Sequence, residues 1–266
     1  MKKSILLFTL SIMFVNFCQA QLASDQFEGY VIDSKGKKYE GIIEVQGLSG
    51  SPWENQDNVT FIEKSVAEAA KGKKIDKKDK KKFDASDVKE YSAGGRKFVT
   101  VKYTNIQGAM KSSGGNRFNA IAGAAKNLSN NEFMAEVIME GGKVSLYRFY
   151  NSPPPVSVSV GAGDAAETDR VKNECINQYD ILYLKMGSKD KAKAIARPGE
   201  LAEGKQIFRN LIEDCKAVEK KFDDGAYVMK PIKKGIKGMI KEALSGKSFE
   251  EKLVEIVTDY NKECGK

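Results

Sequence analysis

FMAEVIMEGGKVSLYRFY, residues 133–150, is the stretch that most directly indicates the fold of this chain. Two segments rich in Val, Ile, Leu, Phe and Tyr flank Gly141 and Gly142. Such side chains suit a pleated, half-buried strand, and a two-glycine connection suits a tight hairpin turn. The stretch therefore predicts two antiparallel strands, 133–140 and 143–150.

Further segments with strand character lie on either side of this hairpin. Turn sequences such as DSKG at 33–36 and SAGG at 92–95 separate the earlier ones. Short strands joined by turns in this way predict a small antiparallel barrel or a curled meander. One more strand is predicted after the hairpin, at 181–186. The five earlier segments are 27–32, 38–45, 59–62, 88–91 and 97–103.

The last part of the chain has a helical pattern. Apolar residues recur at three- and four-residue spacing in 206–215, 231–244 and 248–260, as they do on one face of a helix. Ser248, followed three residues later by Glu251, is a capping-box signature for the start of the last helix. The pattern therefore predicts C-terminal helices.

These patterns together predict an α+β fold, with an N-terminal antiparallel meander or small barrel, the hairpin, and a C-terminal helical segment. The β-rich domain is predicted to span 21–187. The helical region, 188–266, is expected to pack on it. Three stretches are interpreted as loops: the Lys-rich 71–82, the Gly/Ser/Asn-rich 111–131, and 151–169 with its three consecutive prolines.

The N-terminus has the organisation of an export signal. Lys2 and Lys3 precede an apolar run at 4–17, and Ala20 ends a short segment suited to signal peptidase. The run is shorter than the roughly 20 residues that span a bilayer, which argues against a retained membrane anchor. We predict a signal peptide at 1–20 and export to the periplasm or the extracellular space, with no transmembrane segment after cleavage.

Composition excludes several kinds of catalytic site. The 266-residue chain contains no histidine, which rules out Ser-His-Asp and Cys-His nucleophiles and nearly every catalytic zinc site. Carboxylates are numerous, but no pair stands out as an acid–base couple. Glu136 and Glu140 are interpreted as occupants of the polar face of their strand.

Two other motifs are interpreted as structural. GAGDAA at 161–166 imitates a dinucleotide-binding loop, but the strand before it alternates with serine and the segment after it is too polar for a crossover helix. Trp53, the only tryptophan, is interpreted as a core residue rather than a platform for a sugar ring. We therefore predict no cofactor, no metal site and no catalytic residue.

Cysteine usage suits an oxidising compartment. Removal of the signal peptide leaves Cys175, Cys215 and Cys264, enough for one disulfide and one spare thiol. Cys215 and Cys264 both belong to the helical region, which favours their pairing over one with Cys175. Three unpaired thiols remain the other alternative.

Lysines are concentrated in two segments, 71–82 and 230–241. Such segments attract anionic surfaces, although the first is also typical of a solvated loop and the second of a core-facing helix. The first contains no arginine and no aromatic residue, so specific nucleic-acid binding is not expected. The candidate anion-binding residues are Lys73, Lys74, Lys77, Lys78, Lys80, Lys81, Lys82, Lys233, Lys234, Lys237 and Lys241.

Several pieces of the chain resemble one family of exported Bacteroidota proteins of unknown function. The resemblance implies an envelope or extracellular location, a β-rich N-terminal part and a helical C-terminal part, and it brings no catalytic residues. The two Lys-rich segments and the loop at 112–131 depart from the family pattern. The pieces that carry it are 27–32 with Gly36 and 40–43, 82–91, the hairpin with Gly141 and Gly142, Asp214 with Cys215, and Asp259, Tyr260 and Asn261.

The leading hypothesis is a non-enzymatic envelope protein, a binding or interaction module whose partner is an unknown protein or envelope component. One alternative is a peripheral binder of an anionic membrane or polyanion through the Lys-rich segments. Another is a carboxylate-dependent hydrolase of envelope polymers.

Overall fold

The structure is a computed structural model. Several predictions lie outside the residues that it describes, namely the signal peptide at 1–20, the loops at 111–131 and 151–169, and the helix at 231–244. The described residues are 25–45, 52–70, 73–103, 132–150, 179–186, 191–195, 209–227 and 246–265.

A ten-stranded sheet dominates the described residues, and three α-helices accompany it. Residues 209–212 are also helical and lie within the helix predicted at 206–215. The α+β prediction is confirmed, and so is the hairpin, which forms β7 and β8. The strands are β1 (Gln26–Asp33), β2 (Lys38–Glu44), β3 (Asn58–Ile62), β4 (Lys80–Asp84), β5 (Val88–Ala93), β6 (Arg96–Lys102), β7 (Glu132–Met139), β8 (Val144–Tyr150), β9 (Tyr179–Lys185) and β10 (Lys193–Ile195). The helices are α1 (Lys64–Ala70), α2 (Lys216–Asp223) and α3 (Gly246–Cys264).

The strand order in the sheet is β10-β9-β8-β7-β6-β5-β1-β2-β3-β4, so β10 and β4 lie at its two ends. Every pairing between these strands is antiparallel. The N-terminal segments and the hairpin therefore belong to one continuous sheet.

The sheet bends so that the residues before β3 meet β7 and β8. The carbonyl of Gln56 accepts a hydrogen bond from the Met134 N–H of β7 at 2.8 Å. The Gln56 side chain accepts from the Tyr150 N–H of β8 at 2.6 Å and donates to the Tyr150 carbonyl at 2.7 Å. Five strands separate β3 from β8 in the sheet order, so these contacts require a strong curl. Trp53 is buried in the same segment, as interpreted from the sequence.

Helix α3 packs on the β8–β10 end of the sheet. Its buried residues Leu253, Ile256 and Tyr260 share a core cluster with Leu146 of β8 and Ile181 of β9. Burial of such a stripe is the main source of stability for a helix of this kind. The helix is thus held by the apolar face that its sequence pattern indicated.

Polar contacts fix the C-terminal end of α3 on the turn between β7 and β8. The Asn261 side chain accepts from the Val144 N–H at 2.8 Å and donates to the Gly141 and Val144 carbonyls at 3.0 and 2.8 Å. Gly142 has a φ of +78°, and a Cβ there would lie 2.6 Å from the Asn261 Cγ. Glycine is therefore required at 142 both for the turn and for the approach of the helix.

A disulfide joins Cys215, just before α2, to Cys264, the last residue of α3. This is the pairing that the sequence favoured. Beside it, the Tyr260 hydroxyl donates to both carboxylate oxygens of Asp214, at 3.0 and 2.9 Å, and the Lys185 ammonium lies 2.8 Å from the same carboxylate. Residues 141–142, 214–215 and 260–261 therefore all contribute to the anchoring of this helix.

Two predicted boundaries are wrong. β10 lies inside the region predicted to be helical and pairs with β9, because a three-residue strand with one buried apolar side chain leaves no periodic signal. The Lys-rich stretch predicted as a loop at 71–82 ends in a strand: Lys80, Lys81 and Lys82 belong to β4. Pairing with the apolar strand β3 and burial of Phe83 outweigh the low strand propensity of lysine there.

Candidate functional site

Strand β4 is an end strand with an unusual concentration of positive charge. It pairs with β3 and with no other strand among the described residues. The outer side of an end strand carries main-chain N–H and C=O groups that no ladder satisfies. We use "lysine edge" for the seven lysines on β4 and in the segment before it: Lys73, Lys74, Lys77, Lys78, Lys80, Lys81 and Lys82.

The lysines of β4 lie on both faces of the sheet, because successive side chains of a strand alternate. Lys81 shares a face with the buried Phe83, and its Nζ lies 4.3 Å from the centre of that ring. Lys80 and Lys82 lie on the opposite face, where Lys80 pairs with Glu44 and Lys82 lies 3.8 Å from Asp84. Positive charge therefore surrounds the open side of the strand.

The segment before β4 adds four uncompensated charges. Lys73, Lys74, Lys77 and Lys78 are exposed, and none forms an ion pair with a carboxylate in the described part of the chain. Residues 73–84 contain seven lysines and only three aspartates. The lysine edge is thus a positively charged surface with charge available for a partner.

The fold also supplies an aromatic residue that the Lys-rich sequence lacks. Tyr39 of β2 lies with its ring centre 4.2 Å from the Lys81 Nζ and 4.8 Å from the Lys37 Nζ. Its ring packs against Phe83 and Phe61, with centres 5.4 and 5.9 Å apart. Sequence reasoning missed this contact because Tyr39 and Lys81 belong to strands that are distant in the chain. Cation–π contacts of this kind hold a lysine stem against the sheet while its head remains at the surface.

The other predicted lysines cannot be placed beside this edge. Lys233, Lys234, Lys237 and Lys241 lie outside the described residues. The candidate surface is therefore built from the lysine edge alone.

The sequence did not indicate a second cluster of charged residues that the structure contains. We call it the buried charge network, and it consists of Arg96, Glu136, Arg148 and Glu250. Glu136 is only 5% exposed, so its interpretation as a residue of the polar face is wrong. It accepts hydrogen bonds from the Arg96 Nε at 2.9 Å, the Arg96 Nη2 at 2.6 Å and the Arg148 Nη1 at 3.1 Å. Arg148 in turn donates through Nε to Glu250 of α3 at 2.7 Å. Charges of alternating sign therefore connect β6, β7 and β8 to the helix.

Two tyrosines complete the buried charge network. The Tyr150 hydroxyl donates to Glu136 at 2.6 Å, and the Tyr179 hydroxyl donates to Glu250 at 2.8 Å. Burial, followed by the hydrogen bond to Glu250, raises the pKa of Tyr179 to about 12. Burial and the nearby Glu136 charge also raise the pKa of Tyr150. Both phenols are therefore protonated donors at neutral pH.

Glu136 is held in its ionised form. Burial alone would raise the pKa of this carboxyl, but hydrogen bonds from Arg96 and Tyr150 and the charges of Arg96 and Arg148 outweigh it and lower the pKa below 4.5. An ionised carboxylate whose oxygens already accept these bonds is not placed to donate a proton. The buried charge network is therefore suited to holding α3 on the sheet.

The lowered pKa of Glu136 predicts a pH dependence of stability. The ion pairs contribute fully above the unfolded-state pKa of about 4.3 and are lost as the pH falls through the lower folded-state pKa. We expect Glu136→Gln to destabilise the protein at pH 6, and the difference from the wild type to shrink as Glu136 becomes neutral in acid. Urea unfolding of both proteins between pH 3 and pH 6 measures how their difference in unfolding free energy changes with pH. A difference that stays constant over that range would contradict the assignment.

The described residues contain no group of three or more Cys, Asp or Glu side chains that could hold a metal ion. None of the helices among them has both the length and the apolar character needed to cross a membrane. Comparison with protein-family models, with curated proteins and with solved structures gave no match to this chain.

Proposed function

We propose that this protein is an exported, non-enzymatic interaction module of the bacterial envelope that binds an anionic partner through the lysine edge. The observation that carries the proposal is the set of four exposed lysines without ion pairs, Lys73, Lys74, Lys77 and Lys78, beside an end strand that is itself positively charged. The signal-like residues 1–20 and the Cys215–Cys264 disulfide support an exported location. The resemblance to exported Bacteroidota proteins supports the same location.

The strength of such binding follows from the exposure of the charges. Each lysine near a strongly anionic surface contributes about 1 kcal/mol, and the attraction is screened over about 10 Å at 0.1 M salt. Several lysines acting together are therefore needed for useful affinity at physiological salt. The lysine edge supplies them within one short segment.

We predict that removing the four unpaired charges weakens binding to anionic probes by about tenfold or more. The test compares the chain without residues 1–20 with its variant K73Q/K74Q/K77Q/K78Q, in which glutamine removes charge but preserves length. The probes are immobilised polyglutamate and vesicles containing phosphatidylglycerol, each over a salt series. Wild-type binding is expected to be strongest at low salt and to weaken with added salt more steeply than that of the variant.

A matched control variant, K89Q/K193Q/K220Q/K262Q, removes four exposed lysines from other parts of the protein. It has the same net charge as the test variant, but its changed residues lie outside the lysine edge, so it is expected to retain most of the wild-type affinity. Equal losses in the two variants would show that net charge alone drives binding. If the wild type binds neither probe at low salt, the proposed function is overturned.

A further inference from the structure

We propose that the anionic partner is an extended acidic segment of a protein, which adds to the open side of β4 as a further strand of the sheet. This inference rests on the proposed function and goes beyond it by naming the partner's chemistry and its mode of binding. The segment would present consecutive Asp or Glu residues opposite Lys81 and Lys82, since Lys80 is already paired with Glu44.

The first argument is the position of β4 in the sheet. It is a five-residue strand paired with β3, and no described residue forms a ladder with its other side. Strand addition at such an edge gives affinity through main-chain hydrogen bonds and specificity through the side chains on either face. The unsatisfied N–H and C=O groups of β4 are the groups that such a partner would use.

The second argument is the distribution of charge over two faces. Lys81 lies on the face of Phe83, whereas Lys80 and Lys82 lie on the other face. A flat lipid surface offers no main-chain hydrogen-bond partners to the open side of β4. An extended chain lying along the edge also alternates its side chains, so consecutive acidic residues meet lysines on both faces. The geometry therefore favours an acidic strand over a lipid surface.

The third argument is that the positive charge of β4 selects which kind of strand can pair with it. Lysines on an end strand oppose pairing with a second copy of the same strand, because like charges directly opposite each other are unfavourable. They leave the edge open to a strand of opposite charge. Lys81 forms no ion pair in the described part of the chain, and Lys82 lies 3.8 Å from Asp84 in an exposed pair that a partner carboxylate can replace.

The test uses two peptides of equal charge and equal side chains. One has the sequence VTEEEVTV. The other is the same peptide with N-methyl groups on alternate residues, which removes main-chain donors and blocks strand pairing. We expect the chain without residues 1–20 to bind the unmodified peptide about tenfold more tightly than the methylated one. We also expect slower amide hydrogen exchange across 80–84 when the unmodified peptide is bound.

A charge exchange provides a second measurement on the protein side. The variant K81E/K82E changes two exposed residues, and it is expected to lose binding of VTEEEVTV and to bind VTKKKVTV instead. Unchanged affinity of this variant for VTEEEVTV would overturn the proposal. A variant that binds neither peptide would also count against it, provided that its circular dichroism spectrum matches that of the wild type.

The outcomes separate this inference from the proposed function. Equal, salt-dependent binding of the two glutamate peptides would overturn strand addition and leave the anion-binding function standing. Binding to phosphatidylglycerol vesicles without binding to either peptide would identify a lipid surface and overturn the acidic-segment partner. Absence of binding to vesicles, polyglutamate and peptides would overturn both.

Discussion

Replacing Glu136 with alanine is expected to lower the free energy of unfolding by about 3–5 kcal/mol. The substitution leaves the guanidinium groups of Arg96 and Arg148 beside a partly buried site from which their shared carboxylate has been removed. It also leaves the Tyr150 hydroxyl without the acceptor that it contacts at 2.6 Å. Glu136 is a buried acceptor shared by two guanidinium groups and a phenol, and removing such an acceptor costs more than breaking an exposed ion pair, so the loss is expected to be large.

Glu140 provides the matched control, since it is a glutamate of the same hairpin at an exposed position. Its carboxylate lies 2.6 Å from the Lys97 ammonium, and such surface pairs contribute about 0–1 kcal/mol. Urea unfolding of Glu136→Ala, Glu140→Ala and the wild type at neutral pH compares the two sites directly. Similar costs for the two substitutions would show that the buried charge network does not stabilise the fold as argued.

The position of Glu136 in the hairpin explains why the sequence did not reveal this network. A two-residue turn at 141–142 would place Glu136 opposite Tyr147. The register instead places it opposite Arg148, and a bulge follows Val137. A shift of one residue exchanges the two faces of a strand, so side chains cannot be assigned to a face from the turn alone. The contacts from Arg96 and Glu250 come from other elements and leave no local signal.

The features that could be predicted depend on local patterns. The hairpin followed from strand-forming residues around two glycines, and the last helix from its apolar stripe. The predicted capping box did not mark the start of this helix, because the helix begins at Gly246 and already includes Ser248. The Lys-rich segment was found as a charge pattern, but its strand was not, because β4 forms only by pairing with β3. The aromatic contact of Lys81 with Tyr39 depends on the same pairing.

Removing the disulfide is expected to lower the free energy of unfolding by about 2–4 kcal/mol. Cys215 and Cys264 are separated by 49 residues in the sequence, so the cross-link restricts a long segment of the unfolded chain. In the folded protein it joins the start of α2 to the end of α3, next to the Asn261 contacts with the β7–β8 turn. Its loss is therefore expected to increase amide hydrogen exchange most in the last turn of α3.

Two independent changes test this expectation: chemical reduction of the disulfide in the wild type, and replacement of both cysteines by alanine. Dithiothreitol is expected to lower the urea midpoint of the wild type and to leave that of C215A/C264A unchanged, since the variant has no such bond to reduce. Cys215 is fully buried in the core shared by α3 and β8, so the variant also loses packing and is expected to be somewhat less stable than the reduced wild type. An unchanged wild-type midpoint after complete reduction would mean that the apolar stripe and the polar anchors hold α3 on the sheet without the covalent bond.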